Sequence, residues 1–312
     1  MSKLILGELI MKAWQKIVAF LSVATMITAV AAGCGATDTN TDAEGDAATP
    51  ETSAAESTAD ESAAPENGDW DEIAAKGTMV VGYTINAPMN FEAENGDLTG
   101  FETEFTKAVC EKLNVEPEFV LINWESKEME LNAKTIDCIW NGMTITDERK
   151  ANMDVSIPYL TNEQALVVQK DKLDAMTSVE DLMNGATVVA EKESAGEELI
   201  EADKAFEQAN YTPVEAQIDA LREVNSFTAD AAVIDATMAS YLINSNSDFA
   251  NLAIVPDTNF EAEEYGIAFR KNSPVTLQKV EDAMQQLENE GKLAEIAEKY
   301  GLTDRLLVKP AE

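Results

Sequence analysis

Between Thr78 and Trp140 the chain alternates short β-branched runs with stretches of helical spacing, and this alternation restricts the fold more than any other feature. Thr78-Met79-Val80-Val81-Gly82-Tyr83 reads as a first strand, followed by the turn residues Asn86, Ala87 and Pro88. Gly100 to Cys110 then runs with helical periodicity, placing Phe101, Phe105, Ala108, Val109 and Leu113 on one apolar face. Pro117 to Ile122 is a second strand, a helix through Met129 and Leu131 follows, and Thr135 to Trp140 is a third strand expected to stop where polarity begins at Asn141. Strand, helix, strand, helix, strand predicts an α/β fold with a mostly parallel sheet. Ligand sites in such sheets lie outside the carboxyl ends of the strands, so Tyr83, Trp124 and Asn141 to Thr144 are expected around one crevice.

The second half repeats the pattern. Ala165 to Gln169 reads as a strand crossing from one lobe to another, and Ser178 opens a short helix that Gly185 closes. Thr187 to Ala190 is a further strand. Ser194-Ala195-Gly196-Glu197 has the spacing of a capping box, whose bare N–H groups bind an anion if that helix start faces a cleft; an ordinary helix start is the competing reading. Asp230 to Asp235 is a buried strand ending in an acid, and Asp235 is placed to cap a helix over Ala236 to Leu242. Tyr265 to Arg270 returns as a strand toward the first lobe. The closing helices, with Val280, Ala283, Met284 and Leu287 on one and Leu293, Ile296 and Ala297 on the other, serve packing. At 312 residues the chain exceeds one ordinary domain, and two crossings between two lobes permit hinge closure.

Composition removes several function classes. The chain has no His, which takes away the usual general base, the Ser/His and Cys/His nucleophile pairs and the commonest zinc ligand. No metal, cofactor or catalytic residue is expected. The formal net charge of −36 opposes nucleic acid as a partner. Cys110 and Cys138 fall in apolar segments and read as buried thiols, a disulfide between them being the alternative. Gly291-Lys292 lacks a phosphate-loop context, so an ATPase would be another chain.

Residues 1–33 read as an export signal: Lys12 and Lys16 precede the apolar stretch Ile17 to Ala32, with Met1 and Met11 both open as the start. Ala31-Ala32-Gly33-Cys34 resembles a bacterial lipobox, with Ala31 where Leu is usual, and implies that Cys34 is acylated; an uncleaved membrane anchor is the competing reading. Residues 34–69 have the composition of a disordered acidic tether, with no Lys or Arg and two prolines after Cys34. The acidity is not confined there, since the body from Trp70 onward still carries −28.

Arg149 stands in the first turn of a helix that Thr146 can cap, beside Asp147 and Glu148, where the helix dipole disfavours a cation. Its guanidinium, next to Asn141, Gly142 and Thr144, is a fork of donors suited to a carboxylate; a surface pair with Asp147 or Glu148 is the alternative. Val81-Gly82-Tyr83, Gly100-Phe101-Glu102, Trp124, Ile136 through Thr146, Arg149 and Ser156-Ile157-Pro158-Tyr159 occur in the order seen in polar amino-acid binding lipoproteins of ABC importers. From about Trp70 to Leu302 the chain resembles that bacterial solute-binding family, with Glu102 where the family more often has Asp.

The resemblance implies a two-lobed type II periplasmic binding protein, with lobe 1 at 70–161 and 260–312 and lobe 2 at 162–259. It assigns Arg149 to the ligand's α-carboxylate, with Asn141, Gly142 and Thr144 beside it, and Ser194, Ala195 and Gly196 to the turn that closes over that carboxylate. Asp235 receives the ammonium group. Trp124 becomes a crevice wall, although a strand-end Trp also suits a core, and Tyr83 is a further candidate. The implied protein is a monomer, lipid-anchored on the extracytoplasmic face, that captures a free amino acid for permease subunits of an importer. An enzyme of the same fold, such as a dehydratase or peptidoglycan-cleaving relative, and a ligand sensor module are the alternatives.

Overall fold

Residues 69–309 are described by the structure, a computed structural model. The export signal, Cys34 and nearly all of the acidic tether lie outside the described residues. In chain order the first half comprises α1 (Trp70–Lys76), β1 (Thr78–Tyr83), the hairpin β2 (Phe91–Glu92) and β3 (Leu98–Thr99), α2 (Phe101–Leu113), β4 (Glu116–Leu121), α3 (Lys127–Asn132), β5 (Cys138–Thr144), α4 (Asp147–Asn152) and β6 (Met153–Val155). The long β7 (Leu160–Gln169) leads to α5 (Lys170–Ala175), α6 (Val179–Met183), β8 (Thr187–Glu191), α7 (Ala195–Ala202), β9 (Asn210–Val214), α8 (Gln217–Asn225), β10 (Ala231–Asp235), α9 (Ala236–Ser245) and β11 (Leu252–Ile254). The chain then returns through β12 (Ala262–Arg270) and ends in α10 (Pro274–Asn289) and α11 (Lys292–Lys299).

The strands run in the order β4-β1-β5-β12-β7-β10-β8-β9. β1 lies parallel between β4 and β5, and β8 lies parallel between β10 and β9, so each half has the parallel core that its sequence predicts. The halves meet where the two crossing strands pair antiparallel, Leu160 to Glu163 of β7 against Tyr265 to Ala262 of β12. Beyond that short ladder β7 pairs with β10, and β12 pairs with β5.

Strand alternation splits each half into two apolar layers, one on each face of its sheet. Cys138 and Trp140 join Phe101, Phe105, Val109 and Met284 on the α2 and α10 face. Ile139 and Met143, one residue out of phase, join Leu131, Ile136 and Met153 on the other. In the second half Val167, Val189 and Ile234 face Leu221 and Met238, whereas Leu166, Val188 and Val233 face Met183 and Phe206. Cys110 and Cys138 are both buried free thiols, and burial raises the Cys110 thiol to about 12. No helix among the described residues is long and apolar enough to cross a membrane.

The third strand, expected over Thr135 to Trp140, is displaced toward the carboxyl end. The third strand begins at Cys138 and continues to Thr144, and every residue of it is buried. Polarity does not end it because the polar groups find partners inside: Asn141 Oδ1 accepts from the Thr84 amide at 2.8 Å, and its Nδ2 donates to Thr84 Oγ1 at 2.7 Å.

Candidate functional site

The carboxyl ends of β5, β8 and β10 open on one gap between the halves. It is lined on the first half by Trp124, Asn141, Gly142, Thr144 and Arg149, and on the second by Glu191, Ser194, Ala195, Gly196, Gln217 and Asp235. The halves are shut, leaving a gap of only about 10 Å³. A groove of about 570 Å³ near Glu111, Lys112 and Glu290 is larger, but it lies on the helical surface and away from the strand ends.

Arg149 is held as the sequence suggests and paired differently. Thr146 caps α4, its hydroxyl accepting from the Arg149 amide at 3.2 Å, and the side chain folds inward to 4% exposure. Nη1 donates to the Thr144 carbonyl at 2.8 Å. The ion-pair partner is neither Asp147 nor Glu148 but Glu198 of α7, across the gap, with Nη2 to Oε1 at 2.8 Å.

Gly142 has φ +55°, a left-handed conformation that glycine adopts without a side-chain clash. A Cβ there would stand 3.2 Å from Asn86 Nδ2 and 3.3 Å from the Tyr265 ring. The Gly142 amide donates to Glu102 Oε1 at 2.7 Å, and Glu102 also accepts from Asn90 at 2.7 Å and from the Tyr159 hydroxyl. Burial pushes the Glu102 carboxyl up to about 7, against those hydrogen bonds. Glu102 therefore supports the site from behind rather than lining it.

On the second half, Ser194 caps α7 by accepting from the Glu197 amide at 3.3 Å. The Glu197 carboxylate returns to the Glu193 amide rather than to Ser194, one residue short of the usual box. Gly196 sits where a Cβ would come within 2.8 Å of the Val233 carbonyl, so the helix start lies directly on β10. The first amides of α7 lack intrahelical partners and border the gap.

Asp235 immediately precedes α9 but makes no side-chain cap. Its carboxylate accepts instead from Gln217 at 2.6 Å, Gln164 at 2.9 Å, Asn162 at 3.0 Å and, more loosely, Asn86 at 3.5 Å. Desolvation still outweighs these bonds and raises its pKa. Asn162 and Gln164 also donate to Glu263, at 2.5 and 2.8 Å, so two carboxyls share two carboxamides; burial, then Asp235, lifts Glu263 to about 7.

A single backbone oxygen ties the shut halves together. The Glu193 carbonyl, at a residue with φ +59°, accepts from Trp124 Nε1 at 3.1 Å, Lys127 Nζ at 3.2 Å and Arg149 Nη2 at 3.4 Å. Trp124 is thus buried and at the gap at once, which unites its two sequence readings.

Among the predicted gap residues Tyr83 is not brought there. Its ring stacks edge-on against Phe119 at 6.0 Å, because side chains alternate and Tyr83 shares the β1 face of Val81, which α2 covers. Sequence reasoning missed Glu191 and Gln217. Glu191 closes the buried run Val188 to Ala190, the same strand-end signal that marked Asp235.

The sequence profile of bacterial extracellular solute-binding proteins, family 3, matches residues 79–303. The arginine-binding extracellular protein ArtP of Bacillus subtilis is 32% identical over 215 residues, 67% of this chain and 81% of that protein. The L-cystine-binding protein TcyJ of Escherichia coli K12 is 28% identical over 230 residues, 73% of this chain and 84% of that one. Among solved structures, the ancestral amino acid-binding protein AncCDT-1, a precursor of cyclohexadienyl dehydratase, superposes with a TM-score of 0.67 at 32% identity, covering 74% of this chain and 98% of that one.

Proposed function

The chain belongs to the bacterial extracellular solute-binding proteins of family 3, and on that premise we propose that it captures a free amino acid in the gap between its lobes and delivers it to an ABC importer. The observation that carries this reading is the opposition of Arg149, in the first turn of α4 on one lobe, to Asp235, at the end of β10 on the other, both on the same gap. The ligand's α-carboxylate takes the guanidinium and the open amides at the start of α7, displacing Glu198. Its ammonium takes Asp235, whose four amide partners supply hydrogen bonds but no charge. Neither half holds a zwitterion alone, so binding and closure are one event.

The relatives reported above are named as binding proteins, and the gap offers no His or nucleophile–base pair, so turnover is not part of this reading. Lobe 1 comprises 70–161 and 260–312, lobe 2 comprises 162–259, and the protein works as a monomer anchored through acylated Cys34. Calorimetry with free amino acids tests the site: Arg149→Ala should weaken binding at least ~30-fold, as when one partner of a buried charged pair is removed. Unchanged affinity would reject the assignment. Radiolabelled palmitate that enters the wild type but not Cys34→Ser tests the anchor, and equal labelling of both would reject it.

A further inference from the structure

The gap holds one carboxyl more than a zwitterion can pair. Glu191 ends β8 beside the end of β10, and its carboxyl lines the gap together with Asp235 at 4% exposure. Gln217, which donates to Asp235 at 2.6 Å and accepts from the Asp235 amide at 2.9 Å, also hydrogen bonds Glu191. The cation acting on Glu191 is Lys127, and only at long range: its ammonium is bonded to the carbonyls of Trp124 at 3.3 Å and Glu193 at 3.2 Å. Arg149 is committed to Thr144 and Glu198. Two buried carboxylates therefore share the gap with one guanidinium.

An amino acid carrying only its α-groups matches Arg149 with its carboxylate and Asp235 with its ammonium, and leaves Glu191 uncompensated in a closed, low-dielectric space. We infer that Glu191 is the residue that reads the ligand's side chain, and that the ligand is a basic amino acid whose side-chain ammonium or guanidinium is received by Glu191. The inference rests on the amino-acid reading above and names the class within it. Trp124 complements the assignment, since an indole in the wall of the gap suits the methylene stem of such a side chain, while its ring already carries Lys127 Nζ at 4.9 Å from the centroid and leaves the ligand's cation to Glu191. Burial, followed by the neighbouring Asp235, lifts the Glu191 carboxyl to about 8. A neutral ligand would thus leave it protonated, whereas a basic side chain would hold it ionised.

Calorimetry of the wild type with arginine, lysine, ornithine, glutamine and cystine, repeated with Glu191→Gln, separates the outcomes. The inference expects a basic amino acid to bind wild type at least tenfold more tightly than any neutral one, and Glu191→Gln to lose at least tenfold more affinity for the basic ligand than for glutamine, so that the preference between them disappears. Preference of the wild type for a neutral ligand would overturn it and leave the broader reading standing, with Glu191 then a protonated donor. An unchanged basic-ligand affinity in Glu191→Gln would overturn it equally, provided the variant's ligand-free Tm matches the wild type. Binding of no amino acid at all would remove the broader reading, and this inference with it.

Discussion

Arg149 Nη2 lies 2.8 Å from Glu198 Oε1, an ion pair that reaches across the gap from α4 to α7. The guanidinium is buried while the carboxylate is half exposed, so Glu198 can leave for water at little cost and return when the gap is empty. It occupies the guanidinium as a ligand carboxylate would. Glu198→Gln should therefore tighten amino-acid binding by up to about fivefold, the range of an exposed ion pair, and calorimetry that finds weaker binding would refute the competition.

Asp235→Asn separates recognition from stability. The substitution removes the charge proposed to receive the ammonium, and on that reading binding should fall by about 2–5 kcal/mol. Relief of a desolvated carboxylate stabilises the variant, while a new NH₂ facing the Gln217 and Asn86 donors destabilises it, so the ligand-free Tm should move by only a few degrees. A large fall in Tm with affinity retained would be the contrary result.

Glu191, Glu102 and Glu263 titrate upward together, to about 8, 7 and 7, each chiefly through burial. The folded protein therefore holds protons that the unfolded chain has released between about pH 4.5 and 8, and stability falls as pH rises through that window. The carboxyls held low, Asp69, Glu104 and Asp230, act below it. Without ligand, Tm should drop by several degrees between pH 5 and 8.5, and by less with saturating amino acid. A flat or rising profile without ligand would contradict the cause given.

Arg270 supports the first lobe away from the gap. Its Nε donates to Asp69 at 2.7 Å, Nη1 to the carbonyls of Ile136 at 2.5 Å and Leu131 at 3.0 Å, and Nη2 to Asp137 at 3.3 Å. Arg270→Met removes one cation from Asp69 and Asp137, which keep Lys134 and Lys76, and takes the donors from the Ile136 and Leu131 carbonyls, so it should cost about 1–3 kcal/mol in urea unfolding, with ligand affinity at permissive temperature unchanged.

The gap residues are legible wherever the sequence marks a strand end with a polar group, as at Asn141 to Thr144, Asp235 and Glu191. The parallel cores followed from hydrophobic period alone. The end of the third strand did not, because its polar residues are buried through partners such as Thr84 that are distant in sequence. Tyr83 was misplaced because a strand end fixes position along the sheet but not the face a side chain takes. The Glu198 pair and the threefold use of the Glu193 carbonyl join residues on separate lobes, and no local pattern announces such contacts.

The crossing strands β7 and β12 do more than connect. Asn162 and Gln164 project from one and Glu263 from the other, all bonded together at the foot of Asp235. Any swing of the lobes must flex the ribbon on which these three side chains are mounted. On the proposed reading, a ligand ammonium arriving at Asp235 would be felt first at the pivot itself, and the molecule would sense its cargo at its own fulcrum.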